Sequence, residues 1–273
     1  MNLEDHVGDI IRKARQMNGV TAEAVAQAIG LPLPELQIFE ENGDLPKHAK
    51  LANAAKLLGL NPEKLQRIAD GWTPPEPDLS IWREMRRLTT GDDGFRVHCY
   101  LIWDEVTREA ALFDTGLTPE PIFQAIQEND LQLKHLFITH SHFDHQQCLP
   151  AIREKFPRAL LHTGAKEALP QHRNRANDFL HLGSLRITNR DTPGHAEDGV
   201  TYIVGNWPED APNLAIVGDA LFAGSMGKAP GVGELARAKV RQQIFSLPDE
   251  TLICPGHGPF TTVEQEKTNN PFW

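Results

Sequence analysis

Four side chains that can bind metal fall within six residues near the middle of the chain. They are His140, His142, Asp144 and His145. In an extended segment alternate side chains share a face, so His140 and His142 can reach one ion. Asp144 and His145 follow one step later and can turn towards a second ion. Imidazole together with carboxylate suits zinc, iron or manganese, so this spacing predicts a metal centre.

An ordered element on each side would hold these ligands in place. The apolar run at 133–138 favours β-structure and predicts a buried strand that leads into the ligand loop. Residues 146–156 carry apolar side chains at helical spacing and predict a helix at the exit of the loop. The alternative is an ordinary helix start at which Asp144 is only a cap. Three histidines and one aspartate in so short a segment favour the metal centre.

More residues of the same chemical types recur along the chain, at the ends of β-like runs or after a Pro-Gly pair. They are Asp114, His195, Asp219 and His257. Together with the His-x-His-x-Asp-His segment, this set resembles the metallo-β-lactamase superfamily from about residue 95 to residue 257. The resemblance implies an α+β fold, an αββα sandwich with two sheets inside, helices outside and metal ions at one edge.

The resemblance also implies two divalent metal ions and a role for each residue. His140, His142 and His195 match the first site, Asp144, His145 and His257 match the second, and Asp219 matches the bridging carboxylate. Asp114 matches a residue that orients the ligand loop, so Asp144 and Asp114 are the predicted catalytic residues. Zinc is the expected metal, with iron and manganese as alternatives. Such ions lower the pKa of a shared water to about 7, and the resulting hydroxide attacks a carbonyl.

Within that superfamily the motifs are most similar to glyoxalase II. Lys228 matches a lysine that helps to hold the glutathione carboxylate, whereas two tyrosines of that family are Pro230 and Pro259 here. Few residues follow His257, so that family's C-terminal substrate domain is not expected. The predicted function is hydrolysis of a thioester such as an acyl-glutathione. The alternatives are a persulfide dioxygenase with one iron, a lactonase or β-lactamase, and a transcriptional regulator whose metal domain senses a metabolite.

Residues 1–70 have the pattern of a separate helical unit. Glycines at 19, 30, 43 and 59 follow short amphipathic runs and predict helix ends, and Asn61-Pro62 predicts the start of a fifth helix. This arrangement resembles the lambda-repressor-like helix-turn-helix domain. Three prolines in the four residues 74–77 predict a stiff linker over residues 71–78, which leaves residues 79–273 as the hydrolase domain.

The surface chemistry expected for the third helix disfavours DNA. Its first residues, Leu33 to Leu36, offer few groups that read bases, and Glu35, Glu40 and Glu41 would face phosphates. Residues 1–70 carry eight Lys and Arg against ten Asp and Glu. We therefore expect residues 1–70 to bind a protein partner or to form a homo-oligomer, with the leucines as apolar contact surface; DNA binding is the alternative.

Composition limits the remaining possibilities. The net charge of −10 argues against a general nucleic-acid surface or an anionic membrane surface. No apolar run reaches 18 residues and the N-terminal segment does not resemble a signal peptide, so the expected location is the cytoplasm, with no membrane association. Three cysteines without a C-x-x-C pair are expected to be free thiols.

Overall fold

The computed structural model describes residues 2–92, 94–175 and 178–273. It begins with five helices: α1 (Val7–Met17), α2 (Ala22–Ile29), α3 (Leu33–Asn42), α4 (Leu51–Leu57) and α5 (Pro62–Ala69). Thr21 and Asn61 cap the starts of α2 and α5 by accepting main-chain N–H groups, and Gly30 in left-handed conformation ends α2. The predicted helical unit is therefore present, while its helix-turn-helix character stays a prediction.

Two sheets follow the helices. The first has the order β1 (Met85–Asp92), β2 (Phe95–Trp103), β3 (Glu109–Phe113), β4 (Gln132–Ile138), β5 (Leu160–Thr163). The second contains β6 (Phe179–Leu182), β7 (Leu185–Asp191), β8 (Val200–Gly205), β9 (Leu214–Gly218), β10 (Leu252–Pro255) and β11 (Thr261–Thr262), which lie in the order 11-10-9-8-7-6. The pairs β3–β4 and β9–β10 are parallel. Parallel strands end at the same edge, so these pairs can present loop residues together.

Five more α-helices accompany the sheets in the described part of the chain: α6 (Glu120–Glu128), α7 (Phe143–Gln146), α8 (Leu149–Lys155), α9 (Gly233–Gln243) and α10 (Val263–Asn269). The helix that the sequence predicted over 146–156 is present as α8, which begins at Leu149 and not at residue 146. Pro150 lies in the first turn of α8, where its missing N–H favours a new helix start. Asp144 and His145 therefore lie in the separate turn α7. Within the described ranges, no helix is both long and apolar enough to cross a membrane.

Both faces of each sheet carry apolar side chains, and this explains how the sheets and helices are layered. Tyr100, Phe113, Phe137 and Tyr202 fill the space between the two sheets, with the Phe113 and Phe137 rings stacked 4.8 Å apart. The outer face of the first sheet packs on α6 and α8 through Ile122 and Ile152. The outer face of the second packs on α9. The predicted α+β architecture of two sheets between helices is thus confirmed.

The helical unit shares its hydrophobic core with the sandwich. Met226, Ala229 and Phe272 pack into the cluster that fills the inside of the five N-terminal helices. Lys64 Nζ donates to the main-chain carbonyls of Lys267 at 2.6 Å and Trp273 at 2.9 Å, which satisfies groups at the end of the chain. The helical unit is therefore docked against the sandwich, while the predicted domain boundaries stay predictions.

The predicted surface of α3 was wrong at two positions. Leu36 is fully buried in the core of the helical unit, so it is not apolar contact surface. The Glu40 carboxylate accepts two hydrogen bonds from the Arg15 guanidinium, each 2.7 Å long, and so faces α1 and not solvent. The exposed apolar residue of α3 is Ile38, which is 56% exposed. Helical spacing alone did not distinguish the packed face from the exposed one.

Candidate metal centre

All seven predicted ligands lie at one edge of the sandwich, just beyond the ends of strands. His140 follows β4, and α7 presents Asp144 and His145 immediately after it. Asp219 directly follows β9, and His257 lies two residues beyond β10. His195 reaches the same place from the turn after β7. The parallel pairs β3–β4 and β9–β10 thus end at this edge, and the loops that leave them bring distant parts of the chain together.

The ligand atoms form three overlapping groups, in each of which they lie within 4.8 Å of one another. The groups are His140, His142 and His195; His140, His145 and Asp219; and Asp144, His145 and His257. The first and third share no residue, and the middle group connects them. The structure thereby brings together every residue that the sequence assigned to the two metal sites, with Asp219 between them.

Hydrogen bonds fix the direction of four of the five imidazoles. The Nδ1 atoms of His195 and His257 lie 3.1 Å and 2.6 Å from the main-chain carbonyls of Lys228 and Arg96. Nδ1 of His145 lies 2.8 Å from Asp114 Oδ2, and Nδ1 of His140 lies 3.1 Å from Thr139 Oγ1. A proton on each Nδ1 leaves Nε2 as an electron-pair donor that faces the cluster. His142 instead turns Nδ1 towards the cluster, 2.9 Å from His195 Nε2.

Asp114 holds the ligand loop and does not reach the cluster itself. It has a positive φ of 60° directly after β3, and it is 2% exposed. Its Oδ1 accepts the main-chain N–H of Thr139, and its Oδ2 accepts the Thr139 hydroxyl, both at 2.8 Å. Asp114 therefore acts through His145 and Thr139, as a residue that positions ligands.

The pKa of each titratable group in the cluster depends on its burial and on the charges beside it. Burial holds the pKa of His140 well below its ordinary value, and the neighbouring His145 lowers it further. Burial alone would raise the pKa of Asp219, but hydrogen bonding and charge from His145 hold it well below its usual range. Burial also opposes protonation of His145, yet the Asp114 carboxylate raises the pKa of His145 well above normal. The cluster thus favours an ionised Asp219 and a neutral His140, whereas the neighbouring carboxylates favour the protonated form of His145.

Two buried atoms show that this donor set suits a cation. His145 Nε2 and Asp219 Oδ1 are both buried without a hydrogen-bond partner in the described structure. They lie 3.3 Å apart and both face the cluster. An unpartnered buried polar atom is costly, and a metal ion between these atoms would satisfy both. Nitrogen and carboxylate oxygen donors match zinc, iron or manganese.

Lys228 contacts the cluster through its main-chain carbonyl and not through its side chain. Its side chain is exposed, while its carbonyl orients His195. The positioning roles of Thr139 and of the Arg96 and Lys228 carbonyls were missed in the sequence. Thr139 directly precedes His140 and could have been found, because a hydroxyl there can accept from the imidazole. Main-chain carbonyls carry no side-chain signal.

Comparison with known proteins agrees with this geometry. Residues 92–257, more than half of the chain, match the family model described as the metallo-beta-lactamase superfamily. The chain belongs to the metallo-beta-lactamase superfamily. The matched region begins in β1 and ends at His257, so it contains all seven predicted ligands. Members of this superfamily bind divalent metal ions, which fits the convergent histidines and aspartates described above.

Individual relatives of this superfamily member carry different activities in their names. The hydroxyacylglutathione hydrolase GloC of Haemophilus influenzae is 30% identical over 203 residues, 65% of this chain and 93% of the relative. The human mitochondrial persulfide dioxygenase ETHE1 is 30% identical over 187 residues, 63% of this chain and 69% of the relative. The crystal structure of TTHA1623 in a di-iron-bound form has a TM-score of 0.55 and 26% identity, covering 69% of this chain and all of that one.

Proposed function

We propose that the protein is a binuclear metal-dependent hydrolase that cleaves a thioester such as an acyl-glutathione. The convergence of two complete ligand groups through Asp219 carries this proposal. The similarity to a hydroxyacylglutathione hydrolase supports the choice of substrate. The proposed ions are zinc, with iron or manganese as alternatives, because imidazole and carboxylate donors accept all three.

When bound, two such ions would activate a water and polarise the thioester carbonyl. The residues of the protein would then hold the two ions and orient the attacking water. His140, His142 and His195 hold one side of the cluster, and Asp144, His145 and His257 hold the other. Asp144 Oδ2 lies 3.1 Å from His257 Nε2, and the Asp144 side chain is 13% exposed. Asp144 can therefore also accept a hydrogen bond from the attacking water.

Two exposed phenylalanines lie next to the ligands. Phe143 directly precedes Asp144 and is 66% exposed, and Phe95, which is 50% exposed, has its ring 5.5 Å from the His257 ring. They provide apolar surface for the acyl part of the substrate and reduce the access of bulk water. The exposed ammonium of Lys228, on the residue whose carbonyl orients His195, is placed to attract a carboxylate of the thiol part.

The test is hydrolysis of S-acetylglutathione by protein reconstituted with zinc, iron or manganese. We expect thiol release with at least one metal. Lys228→Ala should mainly raise KM, because a remote charge contributes to ground-state binding. The exposed Lys47, on the loop after α3, is a matched control, and Lys47→Ala should behave as wild type. Full metal loading without thioester cleavage would contradict the proposal.

A second candidate function is persulfide oxidation, which the similarity to persulfide dioxygenase ETHE1 favours. It differs in one measurable respect, since a dioxygenase consumes oxygen and a hydrolase does not. Iron-loaded protein should be given glutathione persulfide in an oxygen electrode. Oxygen uptake that matches persulfide loss, together with no thioester cleavage, would replace the hydrolase proposal.

For the helical unit we propose a contact with protein, either a partner or a second copy of the chain. Its exposed apolar residue Ile38 lies on α3 beside acidic side chains, which suits a protein surface better than a DNA groove. If Ile38 is in a contact between copies, Ile38→Lys should lower the molar mass measured by light scattering. Salt-sensitive, sequence-selective binding of the full-length protein to a DNA duplex would favour the regulator alternative instead.

A further inference from the structure

The turn that carries His257 packs directly against other predicted ligands. Strand β10 ends at Pro255, and residues 256–258 form the turn beyond it. A Cβ added to Gly256 would lie 2.4 Å from Asp219 Oδ1 and 2.5 Å from His145 Cε1, so only glycine fits there. A small displacement of this turn would therefore change the distances between His257 and the rest of the cluster.

Strand β2 contacts residues 255–258 from the other side. The Tyr100 hydroxyl donates to the Pro255 carbonyl at 2.7 Å, and the main-chain N–H of His98 donates to the Gly256 carbonyl at 2.8 Å. Alternate residues of a strand share a face, so the side chains of His98 and Tyr100 both point towards this turn. Because β2 belongs to the first sheet and β10 to the second, these hydrogen bonds connect the two sheets beside the metal centre.

The His98 side chain makes a further bond to the same turn. Its imidazole is 4% exposed, and its Nε2 lies 2.9 Å from the Gly258 carbonyl. A carbonyl only accepts, so Nε2 carries the proton and Nδ1 is the acceptor. The Thr89 hydroxyl, 2.9 Å from Nδ1, donates to it. Both ring nitrogens are thus satisfied, and one tautomer and one ring direction are fixed.

These contacts hold His257 on two sides. Its own Nδ1 lies 2.6 Å from the Arg96 carbonyl, and the carbonyl of the next residue, Gly258, accepts from His98. Glycine offers no side chain that packing could hold, so this end of the turn depends on hydrogen bonds to its main chain. Hydrogen bonds have a narrow range of distance and angle, which suits them to place a ligand accurately.

We propose that His98 is a positioning residue of the metal centre, whose Nε2–H bond to the Gly258 carbonyl sets the position of the turn that carries His257. The proposal rests on the proposed function, because it concerns the same two metal sites. It assigns the effect to one side of the cluster, the group of Asp144, His145 and His257. The other side should depend on His98 much less.

The test measures metal affinity separately from turnover. Full-length protein is titrated with zinc in competition with a chelator, which gives a dissociation constant for each ion. His98→Leu has no donor for the Gly258 carbonyl, and we expect one of the two ions to bind about tenfold more weakly, the lower end for residues that orient ligands. His98→Gln should recover most of this loss, because the glutamine Nε2 can donate in place of the imidazole Nε2.

Two further variants make the comparison specific. His181→Leu, the same change at an exposed histidine of β6, should bind both ions as wild type does. Thr89→Val keeps the shape of the side chain but removes the donor to Nδ1 of His98, and should weaken the same ion by a smaller factor. Thr89→Val carries the test where His98→Leu does not fold.

A double-mutant cycle shows whether His98 acts through His257. His257→Ala removes the ligand, so adding His98→Leu to it should cause no further loss of zinc affinity. A further tenfold loss in the double variant would overturn the inference. So would a loss in His98→Gln as large as in His98→Leu, which would indicate a packing effect.

The remaining outcomes separate this inference from the proposed function. Wild-type zinc affinity in His98→Leu and Thr89→Val would overturn the inference even where wild type cleaves a thioester. Binding of only one zinc ion by wild type would contradict both proposals. A loss in His98→Leu that His98→Gln restores, in a protein that cleaves no thioester, would support the inference and contradict the hydrolase proposal.

Discussion

The metal centre and the docked helical unit lie side by side but are held together by different interactions. In the centre, buried polar atoms have specific partners, such as the Nδ1 of His145 on Asp114. The helical unit is held by a shared apolar core and by a few charged side chains that reach main-chain carbonyls. Hydrogen bonds fix direction, whereas apolar packing fixes only proximity. Single changes in the centre should therefore affect catalysis, and single changes in the docked unit should mainly affect stability.

The largest effect is expected from removing the Asp219 carboxylate, which we propose bridges the two metal sites. Asp219 approaches both sides of the cluster, at 3.3 Å from His145 Nε2 and 3.4 Å from His195 Nε2. Asp219→Ala should remove nearly all thioester hydrolysis and part of the bound metal, measured by elemental analysis, with the fold retained by circular dichroism. Asp70→Ala, which changes an exposed carboxylate at the end of α5, is the control. Wild-type turnover in Asp219→Ala would show that the cluster is not the active site.

The docked unit should respond mainly in stability. Lys13→Ala leaves the buried carboxylate of Asp5 without its cation, and breaking a buried pair typically costs about 3–5 kcal/mol. Denaturant unfolding should therefore show a large loss for Lys13→Ala. The same change at the exposed Lys47 should have no measurable effect. A Lys13→Ala protein as stable as wild type would mean that the contact between helical unit and sandwich does not depend on this pair.

The positioning role of Asp114 should give a smaller effect, on metal affinity. Asp114→Asn keeps the size of the side chain but changes its hydrogen bonding to His145 and Thr139. Partners of this kind typically change metal affinity or activity by about 10–100-fold. Competition with a chelator would measure the affinity, and unchanged affinity would show that the imidazole direction is fixed by packing alone.

The same contrast explains what the sequence could predict. The seven predicted ligands and Asp114 could be selected from the sequence because the segments that carry them follow a β-like run or a Pro-Gly turn, and such signals are local. The start of α8 was predicted at residue 146 and lies at Leu149, although Pro150 in its first turn marks it. The packing of Leu36, Glu40 and Lys13 was not predictable from spacing, because their partners depend on tertiary contacts. Lys13 and the Met226 carbonyl, for example, are 213 residues apart.

The central claim is that the strand ends form one binuclear metal centre, and metal stoichiometry tests it most directly. Protein purified without chelator and reconstituted in turn with zinc, iron and manganese should be desalted and measured by elemental analysis. We expect about two ions per chain with at least one of these metals, because each of the two outer ligand groups in the cluster supplies three donors. Less than one ion per chain with every metal would contradict the account.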